Sequence, residues 1–316
     1  MPVKIPDNIP VKEILERENI FVMDESRAVH QDIRPIQICI LNLMPLKEDT
    51  ELQILRELSN TPLQIDVTFM RMSTHKSKHT SKSHLDTFYE PFDNLRGRYF
   101  DGMIITGAPV ELLPFEQVDY WNELEGVFSW CNTHVTSTLF LCWGAQAAMY
   151  HYYGFEKHLL KEKLFGIFYH KVYNRKVPLL RGFDDVFYMP HSRYTEVAAR
   201  DIIRCDDITI LAQSDEAGVA LCMAENGRKI FVMGHPEYDR MQLRREYERD
   251  RRKGLDTALP KHYFPDDDPG KRPILTWRSV ANNLYTNWLN YYVYQSTPFN
   301  LDGTPWGDEL PDTYRS

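Results

Sequence analysis

The sequence has no long apolar segment, no paired cysteines and no excess of basic residues, and each absence excludes a class of protein. No apolar run approaches the roughly 18 residues of a membrane-spanning helix, so an integral membrane protein is not expected. The opening segment, MPVKIPDNIP, is polar and proline-rich, which is not typical of a secretory signal. With 37 Lys and Arg against 45 Asp and Glu, the formal net charge is −8. That charge argues against a nucleic-acid-binding protein.

The cysteines are few and scattered. There are five, and none lies in a CxxC pair, so neither a disulfide framework nor a metal site is predicted. Unpaired cysteines of this kind are typical of a reducing compartment, and we therefore expect a cytoplasmic protein.

Strand and helix patterns alternate along the chain, which predicts an α/β fold with three layers: a mostly parallel sheet flanked by helices. The predicted strands are 36–45, 63–72 and 99–109, a strand before residue 142, and a β-rich second half near 164–172, 184–189, 208–213, 217–223 and 229–233. The predicted helices are 47–60, 121–134, a helix after residue 142, 238–254 and 276–295. We expect a single domain over 1–316, with an N-terminal arm (1–34) and a small C-terminal helical extension (about 255–300).

The segment LFLCWGAQ, residues 139–146, places a cysteine where a strand meets a helix. Three apolar residues form the predicted strand, and small residues after Cys142 open the helix. A nucleophile elbow has this arrangement, with the reactive side chain projecting from a tight turn. The helix N-terminus favours a thiolate, and the backbone N–H of Trp143 points toward an oxyanion formed at the cysteine. From this segment alone, a buried core thiol is an equally acceptable interpretation.

A second candidate segment, KIFVMGHPEYD, residues 229–239, places His235 and Glu237 just beyond a buried strand. The carboxyl ends of strands are where α/β sheets bind ligands. A histidine there can act as a general base, and a nearby carboxylate can fix its tautomer. A turn histidine beside a solvated glutamate is the simpler interpretation of this segment by itself. Metal binding by two ligands without a third has weak support.

Together, FLCWGAQ and GHPE give the order Cys…His…Glu, and here the chain resembles class I glutamine amidotransferases, whose fold is flavodoxin-like. Within that superfamily it closely resembles the homoserine O-acyltransferases of methionine biosynthesis. The supporting segments are ILNLMPLKEDTELQ, TGAPVE, FLCWGAQAAMYHYYG, MPHSRYTE and VMGHPEYDRMQL. The likeness extends over essentially the whole chain.

The resemblance implies a ping-pong reaction between acyl-CoA and L-homoserine. Cys142 would carry the acyl group, His235 would be the general base, and Glu237 would orient it. The oxyanion would be held by the Trp143 amide and a second donor, either in the TGAP turn (Gly107, Ala108) or near Lys47, which matches a family active-site lysine. A solvated lysine in the first turn of a helix is the alternative for Lys47.

The resemblance also implies substrate contacts in a charged helix and two strands. Arg249 matches the residue that holds the homoserine carboxylate, and Glu246, on the same helical face, is a candidate partner for the amino group. Lys163 and Ser192 match other substrate-contact positions. For most of the remaining charges in REYERDRR, a solvated surface is expected.

The residue after TGAPV is linked in this family to the choice between acetyl and succinyl donors. Here it is Glu111, which would narrow the acyl pocket and repel the distal carboxylate of a succinyl group. Acetyl-CoA is therefore the expected co-substrate, with no bound cofactor, and a homodimer is the family's expected assembly. The alternatives are succinyl-CoA as donor, a glutaminase subunit that uses the same three residues, and a non-enzymatic binding module.

Two further segments are given structural interpretations. The polar segment 73–84, which includes HKSKHTSKSH, is predicted to be a solvated loop rather than a site for the CoA phosphates. The aromatic residues of the last helix are predicted to lie in the core or at a dimer interface. They are Trp277, Tyr285, Trp288, Tyr291 and Tyr292.

Overall fold

The computed structural model describes residues 3–6, 8–17, 22–24, 34–75 and 80–297. Over these residues, twelve strands form one sheet. The strands are β1 (Val3–Ile5), β2 (Val22–Asp24), β3 (Ile36–Leu41), β4 (Ile65–Arg71), β5 (Tyr89–Pro91), β6 (Phe100–Ile105), β7 (Val135–Leu141), β8 (Lys157–Val172), β9 (Val186–Val197), β10 (Ile208–Ser214), β11 (Gly218–Ala224) and β12 (Lys229–Val232). The α-helices are α1 (Val11–Arg17), α2 (Lys47–Leu58), α3 (Lys82–Phe88), α4 (Phe92–Leu95), α5 (Trp121–His134), α6 (Trp143–Tyr153), α7 (Ala199–Ile202), α8 (Gln242–Arg252) and α9 (Arg278–Asn287). No helix in this part of the chain is long and apolar enough to cross a membrane.

The sheet changes from parallel to antiparallel pairing at β12. Its strand order is β2-β1-β4-β3-β6-β7-β12-β11-β10-β8-β9, with β5 beside β4. Neighbours from β2 to β12 are parallel, and those from β12 to β9 are antiparallel. Parallel pairs predominate, so the predicted mostly parallel sheet is confirmed.

Helices cover both faces of the parallel half, which explains why its strands are apolar on both sides. On β3, Ile38 and Ile40 face one core cluster, which includes Leu55 of α2. The intervening Cys39 faces the other cluster, which includes Phe128 of α5. The three-layer arrangement is thereby confirmed.

Several predicted boundaries were wrong. The strand predicted near 164–172 begins at Lys157, and the strand predicted near 184–189 continues to Val197, because the two pair as one long antiparallel hairpin. The first strand ends at Leu41 rather than at residue 45, because the next segment forms a loop tied by side-chain hydrogen bonds. The segment 73–84 does not remain a loop: α3 begins at Lys82, where the Ser81 hydroxyl accepts a hydrogen bond from the His84 N–H. Its residues 76–79 lie outside the described part of the chain. The charged helix begins at Gln242 rather than at residue 238.

The C-terminal aromatic segment is a helix of two kinds. It begins as α9 at Arg278 and continues as a π-helix over Trp288–Tyr294. Tyr285, Trp288 and Tyr292 are buried in the same core cluster as α2. This confirms the core interpretation for these three residues. The predicted domain boundaries stay a prediction.

Candidate active site

Cys142 lies in the tight turn between β7 and α6, as predicted. Its backbone is in a conformation rare for a residue with a side chain, with φ 48° and ψ −115°. Its N–H donates to the Val232 carbonyl at 2.7 Å, which fixes the turn against β12. Gly144 lets the helix start pack closely on β6, because a Cβ there would lie 2.6 Å from the Thr106 carbonyl oxygen. The sequence therefore places a buried thiol in a strained, tightly packed elbow.

His235 and Glu237 follow β12, and they form a buried hydrogen-bonded pair. The His235 Nδ1 lies 2.8 Å from Glu237 Oε1, and the His235 N–H donates to the Pro190 carbonyl at 2.9 Å. The ring of Tyr238 stacks on the imidazole at a centroid distance of 4.1 Å. Sequence reasoning missed Tyr238, although it directly follows GHPE. The carboxylate and the stacked ring together fix the orientation of the imidazole.

The cysteine and the histidine meet at one edge of the sheet because β7 and β12 are parallel neighbours, with Leu141 opposite Val232. Gly107 lies between them. A Cβ built on it would be 3.3 Å from Cys142 Cβ and 3.7 Å from His235 Cε1. Burial opposes charge on His235, but the negative charges of Cys142 and Glu237 outweigh it and raise the pKa of His235 well above its ordinary value. The arrangement suits a thiolate–imidazolium pair.

The predicted oxyanion donors lie beside this pair. Trp143 is buried at the start of α6, and its backbone nitrogen would lie 3.6 Å from a Cβ on Gly107. Ala108, the next residue, is also buried. Lys47 is buried, so the solvated alternative is wrong. Its Nζ donates to the Asn42 carbonyl at 2.5 Å and to the Met44 carbonyl at 3.3 Å, and burial lowers its pKa to about 8.

The four predicted substrate-contact residues form one cluster with Asp250, in which Lys163 also lies 3.9 Å from Glu246. Lys163 donates to Asp250 at 2.9 Å, and Arg249 also bonds to Asp250 at 2.8 Å. The Ser192 hydroxyl donates to Glu246 at 2.5 Å. Asp250 was grouped with the solvated charges of the helix, and its 4% exposure overturns that interpretation. The cluster presents two cations, a hydroxyl and two carboxylates, a suitable set for a small zwitterion.

Comparison with solved structures supports the fold. A glutamine amidotransferase from Thermotoga maritima matches with a TM-score of 0.54 at 10% identity, covering 83% of this chain and 100% of that one. The protein SMU.1228c matches with a TM-score of 0.53 at 14% identity, covering 80% and 97%. The expected class I glutamine amidotransferase-like fold is confirmed.

Sequence comparison decides the family. The homoserine O-succinyltransferase family matches residues 2–299. A homoserine O-acetyltransferase from Agathobacter rectalis is 63% identical over 95% of this chain and 97% of its own length. One from Geobacillus kaustophilus is 60% identical over 96% of this chain and all of its own length. The chain belongs to the homoserine O-succinyltransferase family.

In this family member, Glu111 interacts electrostatically with both groups of predicted residues, through His235 and through Lys163. Its Oε2 accepts a hydrogen bond from the Tyr194 N–H at 3.0 Å. Burial raises the pKa of Glu111, and the positive charges of Lys163, His235 and Arg193 act in the opposite direction. The Glu111 carboxyl group is therefore within electrostatic reach of both Lys163 and His235.

Arg193 is a further residue that sequence reasoning missed. It is 1% exposed, and it donates to the Thr195 carbonyl at 2.7 Å and the Ala217 carbonyl at 2.5 Å. Burial lowers the pKa of Arg193, and the negative charge of Cys142 counteracts that effect. Arg193 is therefore a buried cation that interacts electrostatically with Cys142. Its position next to Ser192 was the one available signal.

Within the residues that the structure describes, no three His, Cys, Asp or Glu side chains are grouped in a way that could hold a metal ion. The site offers a buried thiol, a buried imidazole and backbone N–H groups.

Proposed function

We propose that this protein transfers an acetyl group from acetyl-CoA to the side-chain hydroxyl of L-homoserine, through an acyl-cysteine at Cys142. The observation that carries the proposal is the elbow itself: Cys142 and His235 both adjoin Gly107, and the Glu237 carboxylate lies 2.8 Å from the imidazole. Such a set supports nucleophilic catalysis. The reaction needs no bound cofactor, because the cysteine supplies the nucleophile.

In the first half-reaction, the Cys142 thiolate attacks the thioester carbonyl of acetyl-CoA. The negative charge moves to the carbonyl oxygen, where the amides of Trp143 and Ala108 are the proposed donors. When the tetrahedral intermediate collapses, the C–S bond to CoA breaks. The His235 imidazolium gives its proton to the departing CoA sulfur, and Glu237 stabilises the imidazolium until then.

In the second half-reaction, His235 takes the proton of the homoserine hydroxyl, whose oxygen attacks the acyl-cysteine. The bond to Cys142 then breaks, releasing O-acetylhomoserine and restoring the thiolate. We assign recognition of homoserine to the cluster around Asp250. In this assignment Arg249 binds the carboxylate, Glu246 binds the ammonium, and Lys163 and Ser192 complete the contacts.

The choice of acetyl over succinyl rests on Glu111. Its carboxyl is held by the Tyr194 N–H, and this hydrogen bond prevents the side chain from swinging away. A succinyl group would place its own carboxylate against it, at a cost in a partly buried site. The names of the relatives agree with this assignment, whereas the name of the family specifies succinyl transfer. A homodimer stays a prediction.

The test is CoA release with homoserine, measured with acetyl-CoA and succinyl-CoA on the parent protein, Cys142→Ala and Glu111→Gly. We expect the parent to prefer acetyl-CoA, Cys142→Ala to release none, and Glu111→Gly to gain activity with succinyl-CoA. A parent that prefers succinyl-CoA would refute the donor assignment. A parent that releases no CoA, but ammonia from glutamine, would replace the proposal with a glutaminase.

A further inference from the structure

The peptide group between Gly107 and Ala108 adjoins the nucleophile. A Cβ on Gly107 would lie 3.3 Å from Cys142 Cβ and 3.6 Å from the Trp143 nitrogen. The Gly107 carbonyl and the Ala108 N–H belong to the same planar peptide unit and point in opposite directions. Whatever holds the carbonyl therefore also sets the direction of the N–H, which is the proposed second oxyanion donor.

The group that holds this carbonyl is the hydroxyl of Thr106. Its Oγ1 donates to the Gly107 carbonyl at 3.1 Å and accepts from the Leu43 N–H at 2.8 Å. The side chain is 2% exposed, so water does not compete for these bonds. The Thr106 N–H in turn donates to the Leu41 carbonyl at 3.1 Å. The hydroxyl thus joins the loop after β3 to the turn after β6.

The loop that contacts Thr106 is itself held by Lys47. The ammonium group of Lys47 binds the carbonyls of Asn42 and Met44, on either side of Leu43. The Asn42 side chain also donates to the Tyr89 hydroxyl at 2.9 Å.

Behind this contact, the Tyr89 hydroxyl donates to Glu51 at 2.6 Å, and the carboxylate lies 2.9 Å from His84 of α3. Buried hydrogen bonds therefore connect α3 and α2 to the loop that fixes Thr106.

We propose that Thr106 is a positioning residue, which directs the Ala108 N–H toward the oxyanion. Lys47 holds Thr106 in place indirectly, because it binds the loop at 42–44 that contacts the Thr106 hydroxyl. This inference rests on the proposed function for its biological meaning. Lys47 needs no contact with the substrate to fulfil this role. Loss of the Thr106 hydroxyl would leave the nucleophile intact and misdirect one donor.

The experiment compares two reactions of Cys142 in the parent, Thr106→Val and Thr106→Ser. The first is acylation by p-nitrophenyl acetate, followed as the burst of nitrophenolate, which passes through an oxyanion. The second is alkylation by iodoacetamide, a displacement at a saturated carbon that forms no oxyanion. Thr87→Val is the matched control, because it removes a hydroxyl-to-carbonyl bond of 2.8 Å at an exposed position of α3, away from the buried His84.

We expect Thr106→Val to slow acylation by about tenfold or more, since loss of a whole oxyanion donor costs about 10²–10³. Thr106→Ser should stay within about threefold of the parent, and alkylation rates should be the same in all variants. Thr106→Ala serves as a second hydroxyl-free variant if the valine disrupts folding. Unchanged acylation, or an equal loss in both reactions, would overturn the inference. Because the ester contains neither CoA nor homoserine, this test remains valid if the acetyl-transfer proposal fails.

Discussion

Replacing Glu237 by glutamine is the most direct test of whether the negative charge of this carboxylate matters for the reaction. Glutamine has nearly the same shape, and its amide oxygen can still accept from His235 Nδ1. The change therefore keeps the 2.8 Å hydrogen bond and removes the negative charge that stabilises the imidazolium. Both side chains are buried, so water does not replace the lost charge.

The size of the effect follows from this geometry. Making this hydrogen bond neutral lowers its contribution from about 1.5–3 to about 0.5–1.5 kcal/mol, and each 1.4 kcal/mol of barrier corresponds to about a tenfold change in rate. The lost charge–charge attraction, at about 4 Å and an effective dielectric constant of about 20, sets an upper bound of about 4 kcal/mol. We therefore expect kcat/KM to fall by about 10²-fold, and by no more than about 10³-fold.

Two assays give the result. The first is kcat/KM for CoA release with homoserine. The second is the rate of iodoacetamide alkylation of Cys142 across pH. Because the Glu237 charge helps to raise the pKa of His235, that pKa should fall in Glu237→Gln. The alkaline limb of the alkylation profile, where the imidazolium loses its proton, should therefore move to lower pH.

The control is Glu90→Gln, which removes an exposed carboxylate paired with Arg98 at 2.9 Å and should leave both assays unchanged. A loss of less than threefold in Glu237→Gln, together with an unmoved pH profile, would refute the role of Glu237. A large loss in rate with an unmoved profile would show that the carboxylate acts on something other than the charge of His235.

Three further predictions concern the surroundings of the site. Gly144→Ala should lower the free energy of unfolding by about 1–3 kcal/mol in urea titrations, because the added Cβ would lie 2.6 Å from a backbone oxygen. Gly97→Ala is the control, since its Cβ would have no atom within 4 Å. Burial raises the pKa of Glu57 to about 7 from an ordinary 4.5. The free energy of unfolding should therefore fall as the pH rises between these two values. Glu57→Gln should abolish this slope, and an unchanged slope would contradict the assignment. Arg193→Met should slow iodoacetamide alkylation of Cys142 by about tenfold, and an unaltered rate would exclude Arg193 as a source of thiolate stabilisation.

Local patterns in the sequence were sufficient to predict the strands and turns that carry Cys142, His235 and Glu237. An apolar strand followed by Cys142 and small residues specifies an elbow, because only a tight turn joins such segments. An apolar strand followed by GHPE places His235 at a carboxyl edge. Strand and helix types in the parallel half follow from the same patterns, since doubly covered strands are continuously apolar.

Those patterns do not predict which polar residues are buried. Lys47 and Asp250 have the sequence context of solvated charges, yet the fold encloses both and gives each fixed partners. Arg193 carries no local signal beyond its position next to Ser192. Its acceptors at Thr195 and Ala217 meet only when β9 has packed beside the turn before β11. Partners distant in sequence are supplied by the tertiary structure.

The sequence by itself determined the order of the elements, the candidates for nucleophile and base, and the resemblance to the family, because these depend on residue type and local spacing. Only the tertiary structure decided that Gly107 adjoins Cys142 and that the Thr106 hydroxyl holds the peptide beside it. It also decided that Lys163 and Arg249 share the buried carboxylate of Asp250, while Ser192 bonds to Glu246. Those facts depend on which strands become neighbours, and strand pairing sets distances of a few ångströms between residues far apart in the chain.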